Sequence, residues 1–133
     1  MPLRCIGLIG FSVIQQKHKL LLVQAAFWLA GVAVAVLSLL PVEHLPPIAF
    51  SWWDKAQHAL AFGVLGCLGL LAYPSRQLQA IGCLLLFGVF IELAQSAAGW
   101  RYGDWQDWLA DAVGVAVAYG LSLAYKKLSG AFM

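Results

Sequence analysis

Charged residues are scarce in this chain, which excludes most of the functions that depend on a charged surface. Only 11% of the 133 residues are charged, whereas a soluble domain carries roughly 25%. The net charge of +2 and the lack of any basic run give no support to nucleic-acid binding. Hydrophobic residues make up 62% of the chain, and the mean hydropathy is +0.83. This balance indicates an integral membrane protein with one compact domain.

Cysteine is also scarce, with Cys5 near the N-terminus and Cys67 and Cys83 inside apolar segments. This pattern predicts neither a disulfide framework nor a thiolate metal site, and we interpret the cysteines as packing residues. The apolar stretch 5–14 resembles a short signal peptide, but no small-residue cleavage site follows it. We therefore expect residues 1–19 to form an uncleaved cytoplasmic or interfacial tail.

Four long apolar segments follow this tail. A spanning helix needs about 20 mainly apolar residues, and the segments Leu20–Leu40, Ala56–Tyr73, Leu78–Ala98 and Trp108–Tyr125 meet that need. Residues 126–133 would form a second cytoplasmic tail. The predicted fold class is therefore all-α: an integral membrane four-helix antiparallel bundle with residues 20–125 as its single domain.

The distribution of basic residues predicts the orientation of this bundle. Two basic residues, Lys55 and Arg101, lie on the side of the first and third connections. Six lie on the side of the termini, and cytoplasmic loops carry the excess of Lys and Arg. Both termini are therefore expected to be cytoplasmic, in a multi-pass protein of the bacterial inner membrane. The six are Arg4, Lys17, Lys19, Arg76, Lys126 and Lys127.

Small residues recur inside the spans and predict close helix packing. Gly63, Gly66 and Gly69 are spaced three apart in the second span. Gly82 and Gly88 lie in the third span, and Gly114 and Gly120 lie in the fourth. Small side chains let helix backbones approach each other, and packing drives helix association in lipid.

The acidic residues fall in or near the first and third connections, which lie on the same side of the predicted bundle. We therefore predict a polar site at the outer leaflet. The acids are Glu43, Asp54, Glu92, Asp104, Asp107 and Asp111.

The start of the second span carries Asp54, Lys55 and His58. Asp54 and His58 are four residues apart and share one helix face. Asp54 has two interpretations, as a helix N-cap or as part of a chemical site. A lone histidine is often a satisfied core residue, but carboxylates are expected beside His58.

Glu92 and Gln95 lie late in the third span. Glu92 is about 10 Å below the connection, where an unpaired carboxylate costs on the order of 3 kcal/mol. It is either a functional group or a tie between helices, for example to Arg101 or His58.

Asp104, Asp107 and Asp111 would form one stripe on a helix at the start of the fourth span. The helix dipole favours acids at this end, which is the structural interpretation. Three neighbouring carboxylates also repel each other, and Arg101, His58, Lys55 or a divalent metal could balance them.

An ordered set of these residues resembles the VanZ-like family of small bacterial membrane proteins. It comprises Asp54-Lys55-x-x-His58-x-x-x-Phe62, Glu92-x-x-Gln95, Arg101 and Asp107-x-x-x-Asp111-x-x-Gly114. The family usually has Asn where this chain has Asp111. The namesake is associated with resistance to the glycopeptide teicoplanin, so the resemblance implies a four-helix membrane fold and a cell-envelope setting.

Two functions fit this pattern. In an enzyme acting on a lipid or lipid-linked substrate, His58, Glu92 and Asp107 would be catalytic. In a binding or interaction protein, the same layer would hold a phosphate-bearing lipid, an envelope glycan or a glycopeptide without chemistry. In both cases the expected ligand-binding residues are Asp54, Lys55, Gln95, Arg101, Asp104 and Asp111.

Two further expectations concern ions. A divalent metal is a candidate cofactor, with His58, Glu92, Asp107 and Asp111 as its candidate ligands, although no spacing such as His-x-x-x-His is present. An ion or proton path is disfavoured, because the inner halves of the spans lack ionisable residues.

Overall fold

The described part of the chain folds into four α-helices. A computed structural model describes residues 3–41, 52–99 and 103–131. Helix α1 is Leu3–Leu39, α2 is Trp52–Ala72, α3 is Gln77–Ala98 and α4 is Trp105–Ala131. The described ranges contain no strand. The all-helical fold expected from the sequence is therefore confirmed.

Each helix is long and apolar enough to cross a membrane. The qualifying segments are Ile14–Leu39, Asp54–Ala72, Gln77–Ala98 and Trp105–Gly130. Large apolar side chains point outward along all four helices; Leu29 of α1, for example, is 71% exposed. An exterior this apolar suits lipid, and a helix satisfies its own backbone hydrogen bonds there.

Local sequence explains where α2 and α3 end. Pro74 follows the last turn of α2, and proline cannot continue a helix because it lacks the N–H group. Helix α3 ends at Gly99, which has a left-handed φ of 79°, a conformation that glycine adopts without strain. Helix α4 begins at Trp105, three residues before the predicted start at Trp108.

Helices α2 and α4 form the tightest pair. A Cβ atom added at Gly114 would overlap the carbonyl oxygen of Ala59 and lie 2.7 Å from the nitrogen of Gly63. A Cβ at Gly66 would lie 2.7 Å from that of Ala118. The glycines thus let the two backbones approach each other closely, as the spacing of small residues predicts.

The apolar core lies between α2, α3 and α4, and α1 packs along its side. The buried core side chains are Phe62, Leu65, Leu84, Ile91 and Val115.

Side-chain hydrogen bonds help to fasten α1 to the rest of the bundle. Gln24 donates to the carbonyl of Ala72 over 3.2 Å, and Gln95 donates to the carbonyl of Ser38 over 2.9 Å. These contacts join the middle of α1 to the end of α2, and the end of α1 to the last turns of α3.

Candidate functional site

Polar side chains from three helices meet where α2 begins, α3 ends and α4 begins. We name this group the polar cluster. Helix α2 contributes three members, α3 one, and α4 with the residue before it three more. Its members are Asp54, Lys55, His58, Glu92, Asp104, Asp107 and Asp111.

A buried pair of His58 and Asp111 lies at the centre of the cluster. His58 Nδ1 and Asp111 Oδ1 are 3.0 Å apart, and the two side chains are 7% and 0% exposed. When Asp111 is ionised its carboxylate can only accept, and the imidazole Nδ1–H is then the donor. The two side chains can reach each other because α2 and α4 pack closely beside them, where the carbonyl of Ala59 faces Gly114.

Gly88 of α3 makes room for the Asp111 carboxylate. A Cβ atom at this position would lie 2.8 Å from Asp111 Oδ2 and 3.2 Å from Cδ1 of Trp108. The Trp108 indole N–H donates to the carbonyl of Leu85 over 3.1 Å, which fixes α4 against α3 at this level. Sequence reasoning did not find this role for Gly88. The sequence indicated Gly88 only as one of the small residues that allow close helix packing.

Lys55 bridges two carboxylates at the rim of the cluster. Its Nζ lies 3.1 Å from Asp104 Oδ2 and 3.0 Å from Asp107 Oδ1. The Lys55 and Asp104 side chains are 35% and 38% exposed, whereas Asp107 is almost buried at 9%. The rim is thus accessible, while the His58–Asp111 pair lies beneath it.

Asp104 caps the start of α4. Its Oδ1 accepts a hydrogen bond from the backbone N–H of Gln106 over 2.9 Å, the arrangement that an acidic N-cap provides. The pKa of the Asp104 carboxyl lies below its usual value of 3.8. The largest cause is this hydrogen bond, and the second is the hydrogen bond from Lys55. Sequence reasoning had considered an N-cap role for Asp54, not for Asp104.

Glu92 ties α3 to the segment that leads into α4. Its Oε2 accepts from the backbone N–H of Asp104 over 2.7 Å. Gly103 permits this approach, because a Cβ there would overlap the Glu92 carbonyl oxygen and the Ser96 hydroxyl. The tie between helices considered for Glu92 is thus present, but its partner is a backbone N–H.

Two buried carboxylate oxygens have no hydrogen-bond partner within the described part of the chain. They are Glu92 Oε1 and Asp111 Oδ2. A buried polar atom without a partner carries a desolvation cost of about 1–3 kcal/mol, and more when charged. Such atoms in a native site call for a physical explanation.

Histidine and carboxylate atoms form two overlapping groups within the cluster. His58, Glu92 and Asp111 each offer one ligand atom, and these atoms lie within 4.8 Å of one another. Asp54, His58 and Asp107 form the second group, at the same spacing. All four candidate metal ligands from the sequence belong to one group or the other.

The remaining predicted site residues either contact other parts of the bundle or fall outside the residues that the structure describes. Gln95 is 1% exposed, and its side-chain amide donates to the carbonyl of Ser38 in α1. Its predicted role in ligand binding stays a prediction. Arg101 and Glu43 lie outside the described residues.

An apolar groove of about 520 Å³ lies away from the polar cluster, towards the α2–α3 connection. Phe27 and Trp28 of α1 line it together with Tyr73, Arg76 and Phe87. The Trp28 indole N–H donates to the Tyr73 hydroxyl over 3.0 Å. None of the predicted site residues lines this groove.

Comparison with known proteins gives one result. A family model described as VanZ/LLP1 matches residues 6–126, a range that includes the whole polar cluster. No curated protein and no solved structure matches the chain.

Proposed function

Because the chain belongs to the VanZ/LLP1 family and has four helices that are apolar enough to span a membrane, we propose an envelope function for it. It is a multi-pass protein of the bacterial cytoplasmic membrane, and its polar cluster binds the headgroup of a lipid or lipid-linked ligand at the outer leaflet.

The buried His58–Asp111 pair carries this proposal. Both residues lie inside a candidate membrane span, and ionisable residues at such depths are rare and associated with function. Replacing a buried ion pair with apolar residues is often neutral or stabilising. Stability alone therefore gives little reason to keep a histidine and an aspartate there.

The composition of the cluster favours a ligand rich in hydroxyl or amine donors. Lys55, with Asp104 and Asp107, forms a partly exposed rim above the buried pair. The carboxylates accept hydrogen bonds from sugar, glycerol or amine groups, and the Lys55 ammonium suits a phosphate oxygen. The headgroup of a phospholipid or of a lipid-linked envelope glycan presents both kinds of group.

We further propose that the bundle is antiparallel, with both termini in the cytoplasm. The short α2–α3 connection and the contact from Lys126 to Gln77, 2.6 Å long, support this arrangement. The excess of basic residues on the side of the termini supports the orientation. Reporter fusions test it: green fluorescent protein at the C-terminus should fluoresce and alkaline phosphatase there should be inactive. The reverse result contradicts the orientation.

The binding proposal is tested by lipid retention. The protein is purified in mild detergent, and co-purifying or added lipids are measured by native mass spectrometry. Lys55→Ala should lose the bound headgroup lipid while remaining folded. The matched control is Lys126→Ala. Lys126 is also a lysine that contacts another side chain, that of Gln77, but it lies far from the cluster. Equal lipid retention by the wild type and both variants contradicts the proposal.

An enzyme acting on such a lipid is the second candidate, and the His58–Asp111 contact favours it. A carboxylate that accepts a hydrogen bond from Nδ1–H orients an imidazole and leaves Nε2 as a base. The discriminating test uses His58→Ala and Glu92→Gln, with Asp107→Asn as a third variant. Variants that fold and keep the cellular phenotype argue against catalysis, whereas variants that fold, bind lipid and lose the phenotype support it.

A further inference from the structure

The deepest part of the polar cluster has the composition of a metal site. His58 of α2, Glu92 of α3 and Asp111 of α4 each direct one ligand atom into a group within 4.8 Å. One imidazole nitrogen with two carboxylate oxygens is a donor set that suits Zn²⁺, and also Mn²⁺ or Fe²⁺. Because the three ligands come from three helices, a bound ion would fasten the bundle at this point.

The two oxygens without a hydrogen-bond partner are an independent observation. Asp111 is wholly buried, yet its Oδ2 lacks a partner in the described part of the chain, as does Glu92 Oε1. Both belong to side chains of this same group. Buried acceptors are normally satisfied by a donor or an ion, so each carboxylate has capacity that the described part of the chain does not use.

The charges at this depth also favour a cation. Lys55 contacts Asp104 and Asp107, so its charge is already engaged by carboxylates other than Glu92 and Asp111. His58 supplies at most one positive charge against those two carboxylates. A divalent ion balances both carboxylates and leaves the imidazole neutral, which is the form that ligates metal.

The observed spacing of the central pair is compatible with direct ligation. Zinc binds imidazole nitrogen and carboxylate oxygen at about 2.0–2.2 Å, which places two tetrahedral neighbours roughly 3.3 Å apart. His58 Nδ1 and Asp111 Oδ1 are 3.0 Å apart. An ion can therefore take the place of the proton that the two atoms share, after a small outward movement.

We propose that His58, Glu92 and Asp111 bind a divalent transition-metal ion of the zinc class. Three protein ligands leave a fourth position open, as in sites that bind water or a ligand oxygen. This site goes beyond the proposed headgroup binding and does not depend on it, because the ion binds in the absence of lipid. With a ligand present, the open position would receive a phosphate or hydroxyl oxygen from the rim.

The test measures metal in the purified full-length protein without added lipid. The protein is stripped with chelator, incubated with Zn²⁺, desalted and analysed by inductively coupled plasma mass spectrometry. The expected result is one ion per chain. In a parallel sample, Co²⁺ should give a visible absorption band that Zn²⁺ abolishes.

Three variants locate the ion. Glu92→Gln keeps an acceptor oxygen for the Asp104 N–H and should lose at least tenfold in metal affinity, as should His58→Ala. Asp107→Asn is the matched control, because Asp107 belongs to the second group but not to this one, and it should retain the ion. Size-exclusion chromatography and circular dichroism identify variants that fail to fold, and only folded variants are compared.

Several outcomes overturn the proposal. One is a wild-type protein that holds no more Zn²⁺ than Glu92→Gln. A second is loss of the ion from Asp107→Asn together with its retention by Glu92→Gln, which assigns it to the group of Asp54, His58 and Asp107. Metal binding with no lipid retention would instead refute the headgroup proposal and leave this one intact.

Discussion

Close packing at Gly114 determines whether the polar cluster can form, and Gly114→Ala is the direct perturbation. A Cβ atom at this position would overlap the carbonyl oxygen of Ala59 and approach the nitrogen of Gly63 to 2.7 Å. Both are backbone atoms, so no side-chain rotation relieves the clash. Helices α2 and α4 must move apart, and the contact between His58 and Asp111 must lengthen.

The expected magnitude follows from the geometry. Overpacking a core by a single methyl group destabilises by about 1–3 kcal/mol, and a clash against backbone belongs at the upper end of that range. The matched control is Gly120→Ala on the same helix, where an added Cβ would meet nothing within 4 Å. This second change should be neutral or stabilising, because Ala is the better helix former by about 1 kcal/mol.

The assay is thermal or denaturant unfolding in one detergent, followed by circular dichroism and tryptophan fluorescence. Gly114→Ala should unfold at a lower temperature than the wild type, and Gly120→Ala should not. Equal stability of the two variants would refute the inference that backbone contact between α2 and α4 holds the cluster together.

Three further changes test neighbouring parts of the account. Gly88→Ala should destabilise by about 1–3 kcal/mol, because the new Cβ would lie 2.8 Å from Asp111 Oδ2; an unchanged melting temperature contradicts this packing. The pKa of Asp104 is lowered in the folded protein, so its stabilising effect is fully present above pH 3.8, its usual pKa, and is lost as the pH falls below that value. A plot of melting temperature against pH should therefore be flatter in that region for Asp104→Asn than for the wild type. Identical plots would count against the cap. Gln95→Ala should reduce stability by about 0.5–1.5 kcal/mol through loss of the hydrogen bond to Ser38, and unfolding measurements that detect no loss would show this tie to be dispensable.

The sequence predicted four helices and the approximate limits of α2 and α3, whereas α1 begins at Leu3 and continues through the segment that was predicted to be an N-terminal tail. The length of an apolar segment is a local feature, as are the proline after α2 and the glycine after α3. From such features the end of α3 was predicted at Ala98, where it is observed. The start of α4 was placed too late, because Trp108 looked like the first membrane residue. The N-cap at Asp104 begins the helix before the apolar run does.

The convergence of acids near one end of the bundle was also predictable, since it follows from the order of helices and connections. The partners of each side chain were not. They depend on how each helix is rotated about its own axis. A helix that is apolar on every side gives no indication of that rotation. Lys55 was one of several candidate cations for balancing the acids, and only the structure shows that it contacts Asp104 and Asp107. Gln95 was expected among the ligand-binding residues but bonds to α1.

Glycine roles illustrate the same limit. Gly63 and Gly114 were expected to allow close helix packing, because small residues at a regular spacing are a known signal. Gly88 and Gly103 make room for Asp111 and Glu92, and this could not be read from the sequence. It requires knowledge of which side chain faces each glycine.

The central claim is that a histidine and an aspartate from separate helices form one buried unit, and a double-mutant cycle tests it most directly. The free energies of unfolding of the wild type, His58→Ala, Asp111→Ala and the double variant are measured under one condition. The 3.0 Å contact between the two side chains predicts a coupling energy of about 0.5–3 kcal/mol. Effects that simply add, with no coupling, would contradict the account.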